Sequence, residues 1–286
     1  MWCHYKWWLL AWSVSGLAPV REGSLDLRGS TMYTRLVRPD LLSKDQAPVL
    51  VVHGGPGVPS DYLWPLTECV PFRTLVFFDQ LGCGRSGPAT EYSIEKSVDD
   101  MQTLTRHLGL TRFHLYGQSF GGLLAHAYAR RNAASSAPQE ILSLALSSAP
   151  SDVCEVEKTA QQLVEQLGQV EDVSDAFRVK HQCRVPTMPK PLSDAYARAA
   201  DPAAGWRGSQ AIRSYIAPPL NGLKLPSALV TRGEHDFVTD DCLGAWPAAL
   251  STLRKRTFSG CSHHGLLEDP GQYAAAFEAF WCEYDE

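Results

Sequence analysis

A chain of 286 residues, 44% of them hydrophobic, can bury one large core and fits a single α/β domain or such a core with a small excursion. A formal charge of -5 and a pI near 6.0 provide no basic stripe for a phosphate backbone, so no nucleic-acid partner is expected. The eight cysteines (Cys3, Cys69, Cys83, Cys154, Cys183, Cys242, Cys261, Cys282) are scattered, without the short paired spacings of zinc or redox motifs; they read as reduced thiols in a cytoplasmic protein.

The N-terminus opens on Trp7-Trp8-Leu9-Leu10-Ala11-Trp12, after Lys6 and before the small residues Ser15, Gly16 and Ala18. It is short for a membrane span. Residues 1–20 fit either an irregular extension or a secretory or organellar leader, with the thin positive region and Pro19 counting against cleavage. No other stretch is apolar enough to cross a bilayer, and no membrane partner is expected.

From Leu25 to Val37 the sequence reads as a hairpin, turning at Arg28-Gly29. Two apolar runs follow. Pro48 to Val52 ends in His53-Gly54-Gly55-Pro56-Gly57, and Thr74 to Phe78 ends in Asp79-Gln80-Leu81-Gly82-Cys83-Gly84-Arg85-Ser86. Continuous β-prone runs of this length predict strands covered on both faces, hence a parallel sheet. Ser93 to Leu108 predicts an amphipathic helix, since Ile94, Val98, Met101, Leu104 and Leu108 recur at three- and four-residue steps; Glu91 and Glu95 place negative charge near its positive end. The strand Phe113 to Tyr116 runs into Gly117-Gln118-Ser119-Phe120-Gly121-Gly122 and then a helix-prone stretch from Leu123. A sixth strand covers Ile141 to Leu146. Residues 151–222 carry helical patterns broken by prolines, with no convincing strand, and read as a helical cap. Strands resume at Ser227 to Thr231 and Leu253 to Phe258, before a final helix from Gln272 to Cys282. The expectation is a mostly parallel eight-stranded sheet flanked by helices, with a core of residues 21–150 and 223–286 and a short cap at 151–222, inserted after the sixth strand.

A serine hydroxyl is a weak nucleophile at neutral pH and needs a base, a group to orient that base, and donors for the oxyanion. Gly-x-Ser-x-Gly alone is a weak signal. Between a strand and a helix it becomes a nucleophile elbow, with Ser119 at its apex. The oxyanion then takes one N–H from the residue after the nucleophile, Phe120, and one from the loop after an earlier strand, for which Gly55 is the candidate. Acid and base should follow the serine, in that order. Asp236 lies just after the strand ending at Thr231, with Glu234 and Asp240 as competitors, and His263 lies after the strand ending at Phe258, with His264 as competitor. Both sit at carboxyl ends of strands, where open α/β sheets place their sites. An aspartate nucleophile, as in epoxide hydrolases and dehalogenases, has no place here because Ser119 stands in that position.

In this order, the segments His53-Gly54-Gly55-Pro56-Gly57, Asp79 to Ser86, Gly117 to Gly122, Gly233-Glu234-His235-Asp236 and Cys261-Ser262-His263 resemble the proline iminopeptidase family, serine peptidases of the α/β-hydrolase fold. The resemblance runs from about Arg21 to the C-terminus. It implies a triad of Ser119, Asp236 and His263, since His263 is followed by Glu268 and Pro270 as in the family, with Gly55 and Phe120 as oxyanion donors and no cofactor or metal. It also implies release of proline or another small apolar residue from the N-terminus of a small peptide or amino-acid amide. Many family members read the free amino terminus with glutamates, one in the cap and, in some members, one directly after the aspartate. Here Phe237 takes the second place, and Gly208-Ser209-Gln210-Ala211 stands where the cap glutamate is expected. Gly54, Phe237 and Gln210 are the positions expected to face the substrate. A carboxylesterase or amidase without amino-terminus recognition is the first alternative, and a slow-turnover binding protein of the same fold the second.

Overall fold

The computed structural model describes residues 18–42, 46–200 and 212–285. Residues 1–17 of the leader-like stretch and Gln210 lie outside them, while Val20 begins the first strand.

Strands β1 (Val20–Leu27) and β2 (Ser30–Val37) form the expected hairpin. Arg28 and Gly29 both adopt positive φ, 52° and 73°, the two-residue turn whose twist matches that of paired strands. Then follow β3 (Val49–Val52), β4 (Leu75–Phe78), β5 (Arg112–Gln118), β6 (Glu140–Ser147), β7 (Ser227–Gly233) and β8 (Leu253–Phe258), giving the sheet order β1-β2-β4-β3-β5-β6-β7-β8. The β1–β2 and β2–β4 pairings are antiparallel, and from β4 to β8 every pairing is parallel.

The hydrophobic pattern explains this layering. Every residue of β3 and β4 is buried, because helices cover both faces of the central sheet. On the edge, β8 exposes Arg254, Lys255 and Arg256, charges that discourage pairing with another chain. The helix Ile94–His107 starts at Ser93, whose hydroxyl accepts the Lys96 N–H at 3.2 Å. It packs against the helix Phe120–Ala133 within one apolar cluster, and a second cluster on the other face centres on the C-terminal helix Pro270–Glu283.

Between β6 and β7 the described residues form the helices Val153–Glu165, Val173–Phe177 and Lys190–Ala199, with a π-turn over Arg178–Gln182 and no strand among them. Asp152 and Asp172 cap the first two, each accepting an N–H three residues on. All seven described cysteines are free thiols. No helix of the described residues is long and apolar enough to cross a membrane.

Candidate active site

Four strand ends supply the site. Strand β5 ends at Gln118, and Ser119 follows at φ 54°, ψ -125°, a conformation few non-glycine residues adopt. The helix Phe120–Ala133 starts immediately after it. A Cβ on Gly117 would overlap the Gly121 carbonyl, and one on Gly121 would overlap the Val52 carbonyl. The glycines of the elbow are therefore demanded by the close approach of backbone to backbone. The Ser119 N–H donates to the Ser147 carbonyl at 2.9 Å, fixing the turn to β6.

After β3, Gly54 packs so closely on the elbow that a Cβ there would stand 2.9 Å from that of Ser119. Its N–H donates to the Tyr62 hydroxyl at 2.8 Å, Tyr62 donates to Gln118 Oε1 at 2.6 Å, and Gln118 Nε2 donates to the His263 carbonyl at 3.3 Å. Gly54 is thus engaged away from the cavity, while Gly55, at φ 118°, lines it with Phe120. The segment after β4 braces this loop. Gln80 donates its N–H to His53 Nε2 and its side-chain amide to the His53 carbonyl, at 2.9 and 2.8 Å. The buried Asp79 carboxylate accepts from the N–H and hydroxyl of Ser60 and from the N–H of Arg85. Burial depresses the pKa of His53, consistent with the neutral imidazole that accepts from Gln80.

After β7 and β8 come the titratable groups. A Cβ on Gly233 would collide with the Cys261 and Ser262 carbonyls, so the loops carrying Asp236 and His263 are in direct contact. Asp236 Oδ1 accepts from His263 Nδ1 at 2.9 Å and from the Val238 N–H at 2.9 Å. The two residues are 2% and 5% exposed. With its Nδ1 proton held by the carboxylate, His263 keeps Nε2 as the acceptor, and His263 and Ser119 line the same cavity. The competitors are occupied elsewhere. Glu234 accepts from Ser259 and Gly260, Asp240 pairs with Arg232, and His264 shares a 2.7 Å hydrogen bond with Tyr196. Burial, and then the neighbouring His263, push the pKa of His264 far below the usual imidazole range. Glu268 accepts the Ser262 N–H at 2.6 Å and hydroxyl, together with the Arg184 N–H at 2.7 Å, which ties the His263 loop to the segment after the π-turn.

The cavity measures about 340 Å³. Gly55, Ser119, Phe120 and His263 line it together, and Val58, Leu123, Val153, Val156, Ile212 and Phe237 are among its apolar walls. Among the described residues no carboxylate lines it, and none form a group of three or more His, Cys, Asp or Glu able to hold a metal ion. Sequence reasoning passed over Tyr62, which no motif flags, and the bracing role of Gln118, which stood in view as a letter of the elbow.

Residues 47–198 match the family described as alpha/beta hydrolase fold. The chain belongs to that family. Within it, this α/β hydrolase is similar to the proline iminopeptidases. That of Lactobacillus helveticus is 26% identical over 93% of this chain and 99% of its own, and that of Thermoplasma volcanium 28% over 90% and 95%. The crystal structure of proline iminopeptidase from Mycobacterium smegmatis superposes with a TM-score of 0.77 at 24% identity, covering 93% of this α/β hydrolase and 99% of that chain, a likeness of fold.

Proposed function

We propose that this chain is a serine hydrolase that releases a small apolar residue, proline included, from the N-terminus of peptides or from amino-acid amides through an acyl-enzyme. The observation that carries this is the convergence of Ser119, Gly55, Phe120 and His263 on one cavity, with Asp236 hydrogen-bonded to the far side of the imidazole. In this reading Ser119 Oγ attacks the carbonyl carbon while His263 Nε2 takes the hydroxyl proton. The N–H groups of Gly55 and Phe120 receive the oxyanion. Collapse of the tetrahedral intermediate breaks the C–N bond, and His263 returns the proton to the departing amine. Water then repeats the sequence on the ester, freeing acid and serine. The apolar walls suit a small uncharged side chain, and no cofactor is needed.

A second reading keeps this chemistry but gives it neutral acyl esters or blocked amides. Phe237 and the absence of a carboxylate among the described lining residues support it, since a free ammonium group entering this cavity would find no opposite charge there. A panel of prolyl and other aminoacyl arylamides against their N-acylated forms and short acyl esters separates the two. A preference for free amino termini sustains the first reading, and a preference for blocked amides or esters replaces it with the second.

A further inference from the structure

We propose that His181, in the π-turn Arg178–Gln182, is a positioning residue that holds the Asp236 and His263 loops in register; this rests on the serine-hydrolase reading above. Its buried imidazole donates from Nδ1 to the His235 carbonyl at 2.9 Å, one residue before Asp236. Its own carbonyl accepts the His263 N–H at 3.2 Å, and the next carbonyl, of Gln182, accepts the His264 N–H at 2.8 Å. One residue therefore grips both loops, by side chain on one and by main chain on the other.

Rings close the same circuit. His181 lies 5.3 Å from Phe177, Phe177 lies 5.9 Å from Phe237, and Phe237 lies 4.2 Å from the imidazole of His263, centroid to centroid. The His263 backbone is thus held by a segment lying between β6 and β7, far from it in sequence, and the Phe237 ring over its imidazole is backed by Phe177 of that same segment. The π-turn is what allows this. Closing an i to i+5 hydrogen bond from the Cys183 N–H to the Arg178 carbonyl, at 2.8 Å, widens the turn, a feature that recurs at functional sites. A base displaced by about 1 Å from the nucleophile can cost on the order of a hundredfold in rate.

Two variants isolate the side-chain hydrogen bond. His181→Phe keeps a ring without the donor, and His181→Asn places an amide N–H near the position of Nδ1. The measurement is the second-order rate of labelling by a fluorophosphonate probe, normalised to folded protein, with urea midpoints recorded alongside. The expected result is a loss of about ten- to a hundredfold for His181→Phe and recovery to within about fivefold of the parent for His181→Asn. Labelling of His181→Phe at the parent rate would overturn the proposal, as would equal losses in both variants. A merely structural role would lower the urea midpoints and leave the normalised rate unchanged. Failure of the parent protein itself to label is a different outcome: it removes the serine-hydrolase reading and this proposal with it.

Discussion

The ring of Phe237 lies over the imidazole of His263, with centroids 4.2 Å apart and planes inclined by 32°. It closes the cavity with an apolar wall at the position directly after Asp236, where the family resemblance implies a glutamate in some members. Replacing it tests what the wall selects. Phe237→Glu is expected to raise the ratio of aminoacyl-arylamide to acyl-ester turnover by about tenfold or more, because a charge-assisted hydrogen bond to the substrate ammonium contributes roughly 1.5–3 kcal/mol. An unchanged ratio across that panel would show that Phe237 does not face the amino terminus.

Asp236 presents one oxygen to both His263 and the Val238 N–H. Asp236→Asn preserves the shape and removes the charge that holds the imidazole tautomer. If the proposed serine-hydrolase mechanism holds, the expected outcome is a fall in kcat of about 10³- to 10⁴-fold with KM within a few-fold of the parent. A loss carried mostly by KM would argue that Asp236 shapes the pocket instead.

Gly121 touches the carbonyls at the end of β3. Gly121→Ala should destabilise the fold by about 2–3 kcal/mol or more, read as a lower urea midpoint, since neither the Val52 nor the His53 carbonyl can retreat without disturbing the sheet. A parent-like midpoint would mean that the elbow tolerates a side chain there.

His126 is fully buried edge-on to Trp246 and donates from Nε2 to the Ala249 carbonyl at 3.0 Å. Burial, only partly opposed by that hydrogen bond, depresses its pKa from 6.5 to about 4. On acidification the unfolded chain therefore takes up this proton first. The stability associated with the neutral imidazole is complete above pH 6.5 and drains away as the pH falls towards 4, by about 2–3 kcal/mol. His126→Gln keeps a donor for Ala249 but does not titrate, so its urea midpoint should fall less than the parent's between pH 7 and pH 4.5. Equal falls would contradict the assignment.

Much of this fold was legible in the residues because its central strands are buried on both faces. Val49–Val52 and Leu75–Phe78 are uninterrupted apolar runs for that reason. The first strand was less legible. It begins at Val20, five residues before the Leu25 at which the hairpin pattern becomes visible, since an exposed edge strand pairs through its backbone and leaves no hydrophobic alternation. The elbow and the glycine loop were readable as motifs because their letters encode backbone contacts. Tyr62, Glu268 and His181 were not assigned such roles: each makes a hydrogen bond to a residue far away in sequence, Tyr62 to Gln118, Glu268 to Arg184 and His181 to His235, that only the tertiary fold brings near.

The central claim is that Ser119 is the nucleophile. The most direct measurement is kcat/KM on a responsive substrate from the panel for the parent and for Ser119→Ala, with the site of fluorophosphonate attachment mapped by mass spectrometry in the parent. The account predicts a label on the peptide containing Ser119 and a loss of about 10³-fold or more on substitution. Turnover that survives Ser119→Ala unchanged, or a label on another residue, would contradict it.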